Sequence, residues 1–146
     1  MRIILEQRNC VSAMTNLPGG GRILVVDDDL HVAETLQMVL RARGYKVRVA
    51  NSAEEAIETI SSWEPHLAIV DVMLPCMNGI EFGDALKSNY PNCQVVLMSG
   101  HPGTAELMET AQKEGHPLLE ILAKPLHPTH ILEIVAALLP GTPGEA

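Results

Sequence analysis

The sequence predicts an α/β fold on a doubly wound parallel sheet, and three observations carry that prediction. From Arg22 onward, short apolar runs alternate with amphipathic stretches of helical period. The apolar runs are continuous, as in Ile23-Leu24-Val25-Val26, which marks strands buried on both faces. Strict alternation of strand and helix then implies right-handed crossovers between parallel strands.

Each element can be justified in turn. The first strand, Ile23 to Val26, leads into a helical pattern through Val32, Leu36, Val39 and Leu40 that stops at Gly44. Lys46 to Val49 forms the second strand. Ser52 with Glu55 three residues on makes a capping box that opens the second helix, and Leu67 to Val70 is the third strand. A helix from about Gly79 to Ser88, a strand Val95 to Met98, a helix from about Thr104 to Glu114, a strand near Leu119 to Ala123 and a helix Thr129 to Leu139 complete five βα units.

The chain has 146 residues, 47% of them hydrophobic, enough for one core without disulfides. A single domain is expected over 22–139. A flexible extension, 1–21, ends in Pro18-Gly19-Gly20-Gly21, and the tail, 140–146, reads as a flexible end or linker stub. Met14 is an alternative initiator, which the intact mass of natively expressed protein would decide.

Composition narrows the function classes. A formal charge of −8 leaves no overall basic field for a phosphate backbone, so no direct nucleic acid binding is expected. Cys10, Cys76 and Cys93 lack the spacing of a zinc site or a disulfide framework and read as reduced thiols. Apolar runs such as Ile134 to Leu139 are far shorter than the roughly 20 residues a spanning helix needs. Arg2, Glu6 and Arg8 break the basic-then-apolar order of a signal peptide, so a cytoplasmic protein without membrane contact is expected.

In a doubly wound sheet, ligands bind at the carboxyl ends of the strands, where successive connections leave on opposite faces. Four strand ends here carry polar groups: Asp27-Asp28-Asp29, Asp71, Ser99 and Lys124. Any one of them reads as a helix cap, Asp29 and Ser99 above all, but capping does not account for the set. Clustered carboxylates repel one another unless a cation offsets them, and hard oxygen donors with incomplete protein coordination suit Mg²⁺. Three carboxylates, Mg²⁺ and Lys124 sum to zero charge. Such a site favours attack by a carboxylate oxygen on phosphorus, with metal and lysine neutralising the phosphoryl oxygens.

The segments Val25-Val26-Asp27-Asp28-Asp29, Val70-Asp71-Val72-Met73-Leu74-Pro75 with Asn78-Gly79, Leu97-Met98-Ser99-Gly100 and Ala123-Lys124-Pro125-Leu126 resemble the receiver domains of two-component response regulators. The likeness spans about Arg22 to Leu139. It implies a flavodoxin-like (βα)5 sheet of order 2-1-3-4-5, with Asp71 as phosphoacceptor. It also implies Mg²⁺ held directly by Asp28 and Asp71 and by the Met73 carbonyl, with Asp27 acting largely through water. Ser99 would contact the phosphoryl group and Lys124 would pair with it, the Lys124-Pro125 bond being usually cis in this family. The implied partners are a histidine kinase or phosphotransfer protein upstream and an unidentified protein downstream. The implied state is a monomer or a phosphorylation-dependent dimer, a switch rather than a turnover enzyme.

Two departures stand out. Ile121 occupies the place where the family usually carries Tyr or Phe, and the segment Gly115 to Glu120 is longer than usual. Both fall on the face many receivers use for partners. Since Ile121 cannot swing as an aromatic ring does, the signal is expected to leave through the loop after Ser99, with Gly100 and Gly103, and the helix behind it. His101 lies near enough to Ser99 to influence hydrolysis or to face solvent. His127 and His130 stand at i, i+3 without a third ligand and read as surface residues. Tyr45, Trp63, Phe82 and Tyr90 are too scattered for a stacking platform. The alternatives are a receiver segment of a hybrid kinase or larger regulator, and a haloacid-dehalogenase-type phosphatase. The phosphatase would need an Asp where Met73 stands.

Overall fold

The computed structural model describes residues 21–75, 77–100, 106, 109, 120–124 and 127–139. Five strands form one parallel sheet: β1 (Arg22–Val26), β2 (Lys46–Ala50), β3 (Leu67–Asp71), β4 (Gln94–Ser99) and β5 (Glu120–Ala123). Their order is β2-β1-β3-β4-β5, as the resemblance implied. Four helices are described: α1 (Leu30–Arg41), α2 (Ala53–Ile60), α3 (Gly79–Asn89) and α4 (Pro128–Leu138). Of the helix expected from about Thr104 to Glu114, Glu106 and Glu109 are helical; its other positions, His101, Gly103, 115–119, Pro125 and both chain extensions, 1–20 and 140–146, lie outside the described residues. Cys10 and Cys76 do too.

Element limits move by one or two residues from expectation, for local reasons. β3 and β4 run on to Asp71 and Ser99, whose polar side chains gave no hint that their backbones stay in the ladder. α1 ends at Arg41, before Gly44. Gly44 has φ 93°, left-handed backbone that glycine takes without strain, and Tyr45 N–H then donates back to the Leu40 carbonyl at 3.3 Å. α2 opens with the expected cap, Glu55 N–H donating to Ser52 Oγ at 3.1 Å, while Glu55 Oε1 accepts from Asn51 N–H, one residue before the cap, at 2.6 Å. α4 starts at Pro128 behind His127, whose Nδ1 accepts the Thr129 N–H at 3.2 Å. His127 thus serves as a cap, and both it and His130 are exposed.

Successive strand residues point to opposite faces, and the interior divides accordingly. Leu24, Val26, Ala68, Val70, Val95 and Leu97 pack with α2 and α3, together with Phe82 and Leu86. Ile23, Val25, Ile69, Val96 and Met98 pack with α1 and α4 through Leu36, Leu40, Ile131 and Val135. Each fully buried Leu, Ile or Met contributes about 1.5–3 kcal/mol by leaving water. Cys93 sits in the first of these clusters, and burial pushes its thiol up to about 12. No helix among the described residues is long and apolar enough to cross a membrane.

A histidine ties the amino ends of two strands together. His66 Nδ1 accepts the Arg22 N–H at 3.0 Å, and His66 N–H donates to the Arg22 carbonyl at 2.8 Å. The imidazole must be neutral at Nδ1 to accept. Burial lowers its pKa, the Arg22 charge adds to this, and Glu64 opposes it. Protonation is therefore disfavoured in the fold: the stabilisation is complete above the ordinary value of 6.5 and is lost as pH falls through that value toward the folded one. The melting temperature should fall between pH 7 and pH 5 more steeply for the native protein than for His66→Asn, which keeps an acceptor but does not titrate. Equal slopes would remove His66 as the cause.

Candidate functional site

The sheet order puts the switch point between β1 and β3, and the strand-end residues converge there. Asp27 and Asp28 follow β1, Asp71 ends β3, Ser99 ends β4 and Lys124 follows β5. Carboxylate oxygens of Asp27, Asp28 and Asp71 lie within 4.8 Å of one another. Asp27 is fully buried and Asp28 exposed, so the cluster opens to solvent on the Asp28 side.

Both Asp27 oxygens are engaged. Oδ1 accepts the Asp29 N–H at 2.9 Å, and Oδ2 accepts from Lys124 Nζ at 2.8 Å. The same ammonium donates to Asp71 Oδ2 at 3.1 Å, while Asp71 Oδ1 accepts the Met73 N–H at 3.1 Å. Burial raises the Asp71 pKa; the Met73 N–H works against it, Asp27 repulsion adds to it, and Lys124 lowers it again without cancelling the rise. For Lys124, burial acts to lower the pKa, but its hydrogen bonds to Asp27 and Asp71 outweigh that, and the net shift is upward. The lysine is held as a cation between two carboxylates.

Asp29 is turned away from this cluster. Its Oδ1 caps α1, accepting from His31 and Val32 N–H at 3.0 and 3.4 Å. Ser99 is buried, and its carbonyl accepts the Lys124 N–H at 2.8 Å, which anchors the lysine's backbone to β4. Gly100 lies against the Lys124 stem, where an added Cβ would meet Cβ at 3.4 Å. The side chain of Met73 is exposed, and its backbone bridges to Asn78 across the turn after β3. Asn78 in turn caps α3 by accepting the Ile80 N–H at 2.6 Å.

One site residue escaped sequence reasoning in role though not in name. Gly79 N–H donates to the Val72 carbonyl at 2.7 Å, and its Cα rides directly over the backbone of the nucleophile candidate. A Cβ there would lie 2.7 Å from Val72 Cα and closer still to the Asp71 carbonyl oxygen. The Asn78-Gly79 pair was the available signal; the need for a residue without a side chain is visible only once α3 is seen seated on the end of β3.

A 2-1-3-4-5 parallel sheet with an acidic cluster and one lysine reaching its switch point is the α/β arrangement that the resemblance to receiver domains implied. Residues 23–136 match the family described as the response regulator receiver domain, and the chain belongs to that family. The DNA-binding response regulator MtrA of Mycobacterium tuberculosis is 30% identical over 118 residues, 81% of this chain and 50% of that protein. The response regulator MprA of Mycobacterium ulcerans is 36% identical over 85 residues, 58% of this chain and 37% of that protein. The chain thus spans about half or less of the length of these curated relatives, and DNA binding is stated of the whole MtrA. Among solved structures, the signal receiver domain of an HD domain-containing protein from Pseudomonas fluorescens matches with TM-score 0.75 and 27% identity over 85% of this chain and 90% of that one. A CheY-like receiver domain protein from Methanospirillum hungatei matches with TM-score 0.72 and 26% identity, covering 86% and 98%. Domains of this family are signalling proteins rather than turnover enzymes.

Proposed function

We propose that this receiver domain, 22–139, is a phosphorylation-controlled interaction module in which Asp71 accepts a phosphoryl group from a histidine kinase or phosphotransfer protein. The observation that carries the proposal is the convergence of three carboxylates and Lys124 at the switch point. The donor set fits Mg²⁺: hard carboxylate oxygens, one of them exposed to solvent, too few to complete six-fold coordination without water. Asp28 and Asp71 would hold the ion, with the Met73 carbonyl as a further ligand. Asp27, whose oxygens are already occupied by Asp29 and Lys124, acts through water. When bound there, such an ion would supply charge neutralisation for the phosphoryl oxygens.

An Asp71 carboxylate oxygen attacks phosphorus, the bond from phosphorus to the donor's imidazole nitrogen breaks, and the leaving imidazole takes a proton from solvent. Lys124, now bonded to Asp71 Oδ2, turns to a phosphoryl oxygen. Ser99, buried at the end of β4, donates its hydroxyl to another. Later hydrolysis returns Asp71 to the carboxylate. The output is a surface change read by a downstream protein, in a monomer or a phosphorylation-dependent dimer. Because MtrA is about twice as long as the match, the receiver of a larger regulator is the second reading.

With Mg²⁺ and acetyl phosphate, the protein should gain one acid-stable, base-labile, hydroxylamine-sensitive phosphoryl group, mapped to the peptide holding Asp71. A label on another peptide would overturn the assignment. Asp28→Asn should weaken Mg²⁺ binding to the unphosphorylated protein by about tenfold or more, while Glu58→Gln on exposed α2 leaves it unchanged. Equal affinities in a titration would exclude Asp28 as a ligand.

A further inference from the structure

The chain carries a basic patch against its overall charge, at the end of the sheet opposite Asp71. Of ten Lys and Arg residues, Arg41, Arg43, Lys46 and Arg48 fall within positions 41–48, and no Asp or Glu occurs between Glu34 and Glu54. All four are exposed. β2 is an edge strand, and Lys46 pairs in register with Arg22, the first residue of β1. Arg41, Tyr45, Lys46, Arg48 and Trp63 line an open cleft of about 530 Å³.

The cleft has a built side. The Arg48 guanidinium lies 4.8 Å from the centroid of the Trp63 ring, and Trp63 is itself half-buried against the α2 and α3 side of the core. Tyr45 is buried beneath. Arg41 donates to the Val47 carbonyl at 3.1 Å, so its guanidinium is fixed along the edge and that carbonyl is not open to an added strand. Lys46 and Arg48, two residues apart on β2, project from one face, with backbone positions roughly 6.5–7 Å apart. Trp, Tyr and Arg are the residue types that concentrate binding energy at protein interfaces.

We infer that the β2 edge is a docking site for a short acidic segment of a partner protein, extended so that alternate carboxylates meet Lys46 and Arg48. Charge complementarity selects an anionic occupant. The small extent of the patch selects a short one: α2 packs on β2 and carries exposed Glu54, Glu55 and Glu58, and exposed Glu64 follows Trp63, carboxylates that would repel a long phosphate backbone. None of these residues belongs to the Asp71 site, and the docking does not depend on phosphorylation.

Trp63 is the chain's single tryptophan and reports on the site directly. The probe is a labelled ten-residue peptide of alternating Glu and Val, followed by peptide anisotropy and Trp63 emission. Saturable binding is expected, weakened by salt and absent for the peptide with Gln in place of Glu. Lys46→Glu with Arg48→Glu should weaken it about tenfold or more, and Arg48→Gln about threefold; Lys87→Glu should leave it unchanged. Arg48→Gln removes a charge from an exposed side chain and keeps the test valid if the double variant fails to fold. Absent binding at millimolar peptide, equal binding by Arg48→Gln, or tighter binding of a DNA duplex of matched charge would overturn the inference.

Discussion

Asp71→Asn should lose acetyl phosphate labelling by on the order of 10³-fold or more, since the amide offers no attacking carboxylate. The same substitution should raise the melting temperature in Mg²⁺-free buffer. Asp71 is buried beside Asp27, and its pKa is raised chiefly by that burial. A carboxyl with a raised folded-state pKa contributes stability that is present below its ordinary value of 3.8 and is lost as pH rises through the folded value. At neutral pH the ionised group is therefore a net cost, which asparagine removes while keeping an acceptor for the Met73 N–H. Labelling that persists would displace Asp71 as nucleophile. A lower melting temperature would show that its bond to Lys124 outweighs burial and repulsion.

Gly79→Ala should produce the largest structural effect of any one-methyl change near the site. The new Cβ meets backbone rather than a side chain that could rotate away, with Val72 Cα at 2.7 Å and the Asp71 carbonyl nearer. Either α3 lifts from the sheet or the end of β3 shifts, at a cost of about 1–3 kcal/mol. Because the displaced backbone carries Asp71, Mg²⁺ affinity and labelling should drop together with stability. Gly100→Ala is the matched control, its Cβ meeting only the Lys124 stem at ordinary contact distances of 3.4 and 3.7 Å. Similar denaturant midpoints for the two variants would contradict the close seating of α3 on β3.

The fold was legible because continuous apolar strands and capped helices each carry a local signature. Ile23 to Val26, the Ser52–Glu55 box and the stop at Gly44 depend on neighbours a few residues away. The position of the site was legible too, since strand ends in a doubly wound sheet meet by topology. What the sequence left open depends on contacts between distant residues. Asp29 already read as a cap and caps α1, but nothing local shows that Asp27 holds Lys124 across 97 positions. The roles of His66 at β1 and of Gly79 over Asp71 likewise arise only when separate segments meet. The exit of the signal expected behind Ser99 runs through residues mostly outside those described.

The sheet separates two apolar compartments whose members alternate along each strand, Ile69 facing one and Val70 the other. Neighbours in the chain are thus strangers in packing. Substitutions on opposite sides share no partner, so their energetic effects should add, whereas pairs within one compartment compensate or conflict. Either side can therefore be remodelled by mutation without a matching change on the other, provided the ladder between them keeps its register.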